Sequence, residues 1–194
     1  QNGYIYDFGQ NCAGVLELEI KGRKGQRITA RHAEVLLNGE LFTKPLRSAK
    51  AKLEYVCGGE EETYCPKFTF MGFRYAELCG IEPENVKVRM KVISSIDEET
   101  GDFFCSNESI NRLQKNIRYS GFSNFLEIPT DCPQRDERLG WTGDISVFAS
   151  TACFNFNMNR FLRKWLIDVK AQQTKDGGIP VVVPRVKHFG GTKI

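Results

Sequence analysis

Apolar and polar side chains alternate along the first half of the chain. In Val15-Leu16-Glu17-Leu18-Glu19-Ile20 they fall on opposite faces with a period of two, the pattern of a half-buried strand. A turn at Lys21-Gly22-Arg23-Lys24-Gly25 separates this strand from Arg27-Ile28-Thr29-Ala30, and Lys52 to Cys57 alternates again before breaking at Gly58-Gly59. Phe68-Thr69-Phe70 and Phe73 to Leu78 flank Met71-Gly72, with the aromatic run Phe68–Tyr75 expected in the sheet core. Val86 to Ile93 alternates through Val88, Met90 and Val92. Short strands with turn residues between them predict an antiparallel β-sandwich over residues 1–100.

Beyond Gly101 the period becomes helical. Asn107 is suited to an N-cap, Glu108 complements the dipole of a first turn, and Ile110, Leu113 and Ile117 form one stripe. A second helix is expected from about Trp141 to Phe154, burying Ile145, Phe148, Ala149 and Ala152. A third is expected over Asn157–Gln173, on a face of Phe161, Leu162, Trp165, Leu166 and Val169. Glu127–Gly140 carries two prolines and should be irregular, as should residues 176–191. Amphipathic helices must bury their apolar faces. Residues 101–194 therefore look like the opening of a larger helical array, and its unburied helical faces are expected to self-associate or pack loosely.

Composition narrows the class. Hydrophobic residues at 41% and charged residues at 26% of 194 exclude wholesale disorder. The apolar runs, such as Val181-Val182-Val183, are far below the roughly 18 residues of a membrane-spanning helix, so no membrane association is expected. A net charge of +3, with Lys and Arg spread along the whole length, gives no footprint for nucleic acid.

Seven cysteines, an odd number without zinc-knuckle spacing, read as reduced thiols packed as small hydrophobes, which favours a cytoplasmic over a periplasmic setting. The chain opens on Gln1 and not on methionine, which leaves the compartment open. Only two histidines occur. His32 reads as structural, and neither it nor His188 is placed to activate Cys132 as a nucleophile. No metal or other cofactor is expected, calcium in the acidic loop being the one cation weighed.

That acidic loop is the candidate for chemistry. From Glu127 to Asp144 five carboxylates stand against two guanidiniums, beside Pro133, Gly140, Trp141 and Gly143. Carboxylates accept hydrogen bonds from sugar hydroxyls, and an indole face covers the apolar side of a pyranose. Repulsion among acids raises the pKa of at least one, which supplies the proton donor that glycoside hydrolysis needs. The spacing is equally that of a solvated acidic loop with Trp141 packed in a core.

Asp131-Cys132-Pro133-Gln134-Arg135-Asp136-Glu137-Arg138-Leu139-Gly140-Trp141-Thr142-Gly143-Asp144 closely resembles the signature of the bacterial α-L-rhamnosidases of glycoside hydrolase family 78. Asp7 to Gly14, Arg31 to Leu36, Phe68 to Tyr75 and Asp176 to Pro180 resemble other parts of the same family, so the likeness runs nearly the whole length. It implies an antiparallel β-sandwich domain followed by the first helices of an (α/α)6 barrel. It also implies inverting hydrolysis of terminal α-L-rhamnose from glycosides or polysaccharides. By motif position it makes Glu137 the general acid, places Asp131, Asp144 and Arg135 on the sugar, and sets Trp141 at the pocket wall. In the same signature Asp136 is a variable spacer and receives no role. The family's general base lies in a later motif that no acid here matches, so the 194 residues alone are expected to be inactive. The competing expectation is a non-catalytic carbohydrate-binding or structural module.

Overall fold

The structure, a computed structural model, describes residues 3–186. They form two compact units, one of residues 3–93 with 133–136 and one of residues 94–132 with 137–186.

The first unit is the antiparallel sheet of the sandwich. Its strands are β1 (Tyr4–Lys21), β2 (Arg27–Ala33), the short ribbon β3 (Leu36–Leu37) and β4 (Glu40–Leu41), β5 (Lys52–Val56), β6 (Glu61–Tyr64), β7 (Met71–Cys79) and β8 (Val86–Val92). Hydrogen bonding runs β5-β2-β7-β1-β6, with β8 also on β1. The 18-residue β1 serves two sets of partners. Its first part pairs with β7, and its second part pairs with both β6 and β8. The register slips between Asp7 and Cys12, where Gly9 takes a positive φ of 76°, and such a bulge bends and twists a strand.

That bend rolls the sheet onto itself. Leu16, Leu18 and Ile20 of β1 share one core with Ile28, Ala30, Phe73, Ala76, Leu78 and Val86. Tyr55 on β5 stacks on Tyr64 on β6 at 4.2 Å between ring centroids, which brings the two ends of the strand order together. His32 is 2% exposed, with its ring edge against Phe73 and Nδ1 donating to the Ala51 carbonyl at 2.8 Å. It is a structural histidine.

Two sequence expectations fail here for a shared reason. Phe68-Thr69-Phe70 is loop and not strand: Phe68 has φ of 59° and a fully exposed ring. Met71-Gly72, expected as a turn, opens β7 instead. The aromatic alternation does not register that the left-handed backbone at Phe68 ends strand geometry, so only Met71 onward pairs.

The second unit holds α1 (Glu108–Asn124), the ribbon β9 (Phe125–Leu126) and β10 (Ile128–Pro129), α2 (Thr142–Asn155) and α3 (Asn159–Gln172). Asn107 caps α1, its side chain accepting from the amides of Ser109 and Ile110. Phe125, Ile145, Ala152, Phe156, Met158, Phe161, Trp165, Val169 and Val183 make its core. The expected α1 stripe is only partly used: Ile110 and Leu113 are exposed, while Gly121 and Ser123 are buried. Leu166 of the α3 face is also exposed. None of the seven cysteines is in a disulfide, but Cys153, expected to pack, is exposed. His188 lies outside the described residues.

Candidate active site

The motif loop leaves β10 and returns to α2. An isolated bridge between Thr130 and Gly140 pins its two ends. Glu127 before it and Arg138 within it both adopt positive φ, 65° and 44°, so the turns are made by non-glycine residues at some cost in strain. The return is anchored tightly. Val183 N–H donates to the Gly140 carbonyl at 2.9 Å, and Thr142 N–H to the Val181 carbonyl at 3.0 Å. A side chain at Gly140 would overlap the Val183 carbonyl, so this close approach requires glycine. Trp165 holds the same carbonyl from the other direction, its indole N–H donating at 3.2 Å.

Between those anchors the chemistry is gathered. Oxygen or sulfur atoms of Asp131, Cys132 and Glu137 all lie within 4.8 Å of one another. The buried Cys132 thiol donates to Asp131 Oδ2 at 3.1 Å, so this sulfur is packed beside a carboxylate. Burial pushes the neighbouring Arg138 guanidinium below its ordinary value, against an opposite effect from the nearby Cys132, although arginine remains protonated. Such a set of two carboxylates and a thiol is chemically able to take a divalent cation.

A cavity of about 360 Å³ opens beside the motif, lined by Asp131, Asp144, Asn124, Thr130, Phe125 and Phe148 among others. Asp131 therefore belongs to both the cavity wall and the cluster with Glu137. Asp144 stands exposed in the first turn of α2, where a carboxylate is favoured by the helix N-terminus. Trp141 is the half-buried N-cap residue of the same helix, bridged to Val182 and not part of this cavity's wall. Arg135 falls in the 133–136 stretch that clusters with the sheet unit.

Sequence reasoning missed Asn124 and Thr130. Thr130 Oγ1 donates to the Asn124 carbonyl at 2.9 Å, closing the cavity end of α1. Nothing in the local pattern marks them, since an asparagine at a helix end and a threonine near proline are ordinary boundary residues.

An antiparallel sheet unit is followed along the chain by a helical unit, and that second unit holds the cluster of Asp131, Cys132 and Glu137. The comparisons make this specific. Residues 1–96 match the concanavalin-like domain of bacterial alpha-L-rhamnosidase, and residues 98–194 match the 6 hairpin glycosidase domain of the same enzymes. The chain is 44% identical over 191 residues to an alpha-L-rhamnosidase of Streptomyces avermitilis, covering 96% of this chain and 18% of that protein. A Formosa agariphila alpha-L-rhamnosidase is 43% identical over 192 residues, covering 96% and 21%.

Among solved structures, the S. avermitilis enzyme complexed with L-rhamnose superposes with a TM-score of 0.92 at 43% identity, over 97% of this chain and 19% of that one. The Aspergillus terreus alpha-L-rhamnosidase gives 0.87 at 43%, over 95% and 23%. The chain belongs to the bacterial α-L-rhamnosidase family, glycoside hydrolase family 78. It spans about a fifth of the length of the curated relatives it matches.

Proposed function

We propose that this chain carries the acid half of an inverting α-L-rhamnosidase site acting on terminal rhamnose of glycosides or polysaccharides. The observation that carries the reading is the motif Asp131–Asp144, folded so that Glu137, Asp131 and Cys132 converge within 4.8 Å beside a cavity that Asp131 and Asp144 line. Residues 1–100 are assigned to the sandwich and 101–194 to the opening of the six-hairpin barrel.

In this mechanism the Glu137 carboxyl gives its proton to the glycosidic oxygen as the C1–O bond breaks and the aglycone leaves as an alcohol. Asp131 and Asp144 hold the sugar hydroxyls with Arg135 beside them, and Trp141, outside the lining of the described cavity, borders the sugar from the start of α2. Water adds to C1 from the opposite face and passes a proton to a second carboxylate. Inversion needs that base roughly 6.5–9.5 Å from the acid. Asp131, within 4.8 Å of Glu137, is too close to fill the role. No carboxylate of the 194 residues is assigned as base, so the chain by itself is expected to bind rhamnose with negligible turnover. Self-association through the helical faces of Ile145/Phe148 and Leu162/Trp165 belongs to the same reading, although Ile145 and Trp165 are each only 5% exposed and Phe148 and Leu162 pack partly against the same core; sedimentation velocity would detect it.

The test is Glu137→Gln in a polypeptide that carries these residues and hydrolyses aryl α-L-rhamnosides. A general acid contributes about 10²–10⁴-fold, so the loss should be large with alkyl aglycones and small with a dinitrophenyl leaving group, which needs no proton. Retention of most activity on the alkyl substrate overturns the assignment. The anomer of the first product, read by NMR, tests inversion.

A further inference from the structure

The residue before the proposed acid has its own partner. Residues Pro133–Asp136 belong to the sheet unit and are held there at two points. At the first, Pro133 and Gln134 rest on Gly72 near the start of β7. A Cβ at position 72 would stand 2.8 Å from both the Gln134 nitrogen and Pro133 Cγ, closer than ordinary contact, so the seat exists because residue 72 is glycine. At the second, Asp136 Oδ2 accepts from the Ser48 hydroxyl and from the Ser48 amide, the latter at 3.3 Å.

Ser48 is itself presented by a built turn. A 3-10 helix spans Lys44–Leu46 and buries Leu46 to 3% exposure. Arg47 follows with φ of 54°, and the Ala49 amide closes on the Leu46 carbonyl at 3.0 Å. The left-handed residue reverses the chain so that the next amide and hydroxyl point outward together. A bulky residue held in that region signals a position that surrounding structure over-determines. Ser48 and the Arg47 charge hold the Asp136 carboxyl below the usual carboxylate range, so it stays ionised and gripping across neutral pH.

We propose that Asp136 is a positioning residue for Glu137, its grip on Ser48 fixing, together with the seat on Gly72, the backbone from which Arg135 and Glu137 are projected. The inference rests on Glu137 being the general acid. One bond along the chain separates the clamped residue from the acid, so backbone freedom at 136 passes directly into the position of the acid's oxygen. Misplacement by about 1 Å costs a reaction on the order of 10²-fold. Position 136 is thereby a hydrogen-bonded peg and not a spacer.

The experiment uses the same rhamnoside-hydrolysing polypeptide with Asp136→Ala, Ser48→Ala, their double variant and Asp136→Asn. A misaimed acid hurts reactions in proportion to their need for a proton. Asp136→Ala and Ser48→Ala are expected to lower kcat about tenfold or more on an alkyl rhamnoside, with KM within about twofold and with dinitrophenyl rhamnoside nearly unaffected. The double variant should lose no more than either single one, since both remove one bond. Asp136→Asn keeps an acceptor oxygen for Ser48 and should recover most of the rate.

Equal losses on both substrates, a pure KM effect, or unchanged kcat in Ser48→Ala overturns the proposal. Glu137→Gln run alongside separates the two readings. If it too shows no leaving-group dependence, the general-acid reading fails. If it does while the Asp136 and Ser48 variants do not, only the positioning role fails.

Discussion

Gly121→Ala in α1 sets two effects of similar size against each other, and the structure decides the winner. Replacing a helical glycine by alanine normally stabilises by about 0.8–1.0 kcal/mol. Here the new methyl would lie 2.5 Å from Cε2 and 2.9 Å from Cζ of Phe156, where carbon contacts ordinarily sit near 3.5–4.0 Å. The ring has no retreat. Phe156 is 1% exposed, with Phe122 at 5.1 Å and Phe125 at 6.4 Å between centroids. Overpacking of this kind costs about 1–3 kcal/mol and more when the neighbour is pinned, so the net is a destabilisation of about 1–2 kcal/mol.

Gly143→Ala is the control: it is also helical, in the first turn of α2, but nothing lies within 4 Å of its Cβ. It should stabilise by up to about 1 kcal/mol. Urea unfolding followed by tryptophan fluorescence reads both, since Trp141 and Trp165 each lie in the helical unit. With a slope of about 2 kcal/mol per M, Gly121→Ala should lower the midpoint by about 0.5–1 M and Gly143→Ala should raise it by up to about 0.5 M. Phe156→Leu should relieve part of the clash, so that Gly121→Ala costs at least about 1 kcal/mol less in that background. If Gly121→Ala stabilises as Gly143→Ala does, the packing of Phe156 against α1 is wrong.

Two further outcomes concern titration. Arg74 donates to both oxygens of Asp7 at 2.7 Å, and the Gly9 amide adds a third bond at 2.8 Å, lowering the Asp7 pKa to about 2. Its stabilisation is complete above the unfolded value near 4 and is lost as pH falls through about 2; side-chain carboxyl NMR should give that midpoint, and Arg74→Ala should return it toward 3.8. His32 is held neutral because burial pushes its pKa below 6.5, against a smaller opposite effect from the Ala51 carbonyl. The unfolded chain therefore binds the extra proton first, so stability is full above about pH 6.5 and declines as pH falls toward the folded value. His32→Gln should flatten that slope in urea midpoints measured between pH 8 and 5, and an unchanged slope would refute it.

Local pattern determined a good deal of this protein. The alternation at Val15–Ile20, Lys52–Val56 and Val86–Val92 is strand in the structure, α1 starts at the Asn107 cap, α2 and α3 stand within two residues of their expected ends, and the family is legible in the wording of residues 131–144. These features are local because a period reports which face of an element will be buried, and a cap or motif is complete within a few residues.

Tertiary structure decided the rest. Glu61–Tyr64, with its adjacent glutamates, is a strand only because β1 offers it a partner, and Tyr4–Gly14 joins β1 across a bulge that β7 accommodates. Ile110, Leu113 and Ile117 looked like a buried stripe, and Gly121, which Phe156 meets, continues that stripe one turn further on; Ile110 and Leu113 are exposed because only the C-terminal end of α1 is packed. Asp136 read as a spacer until the turn at Ser48, 88 residues away, was brought against it. Pairing, close approach and electrostatic grip depend on what arrives from elsewhere in the chain, and no short window of sequence contains both partners.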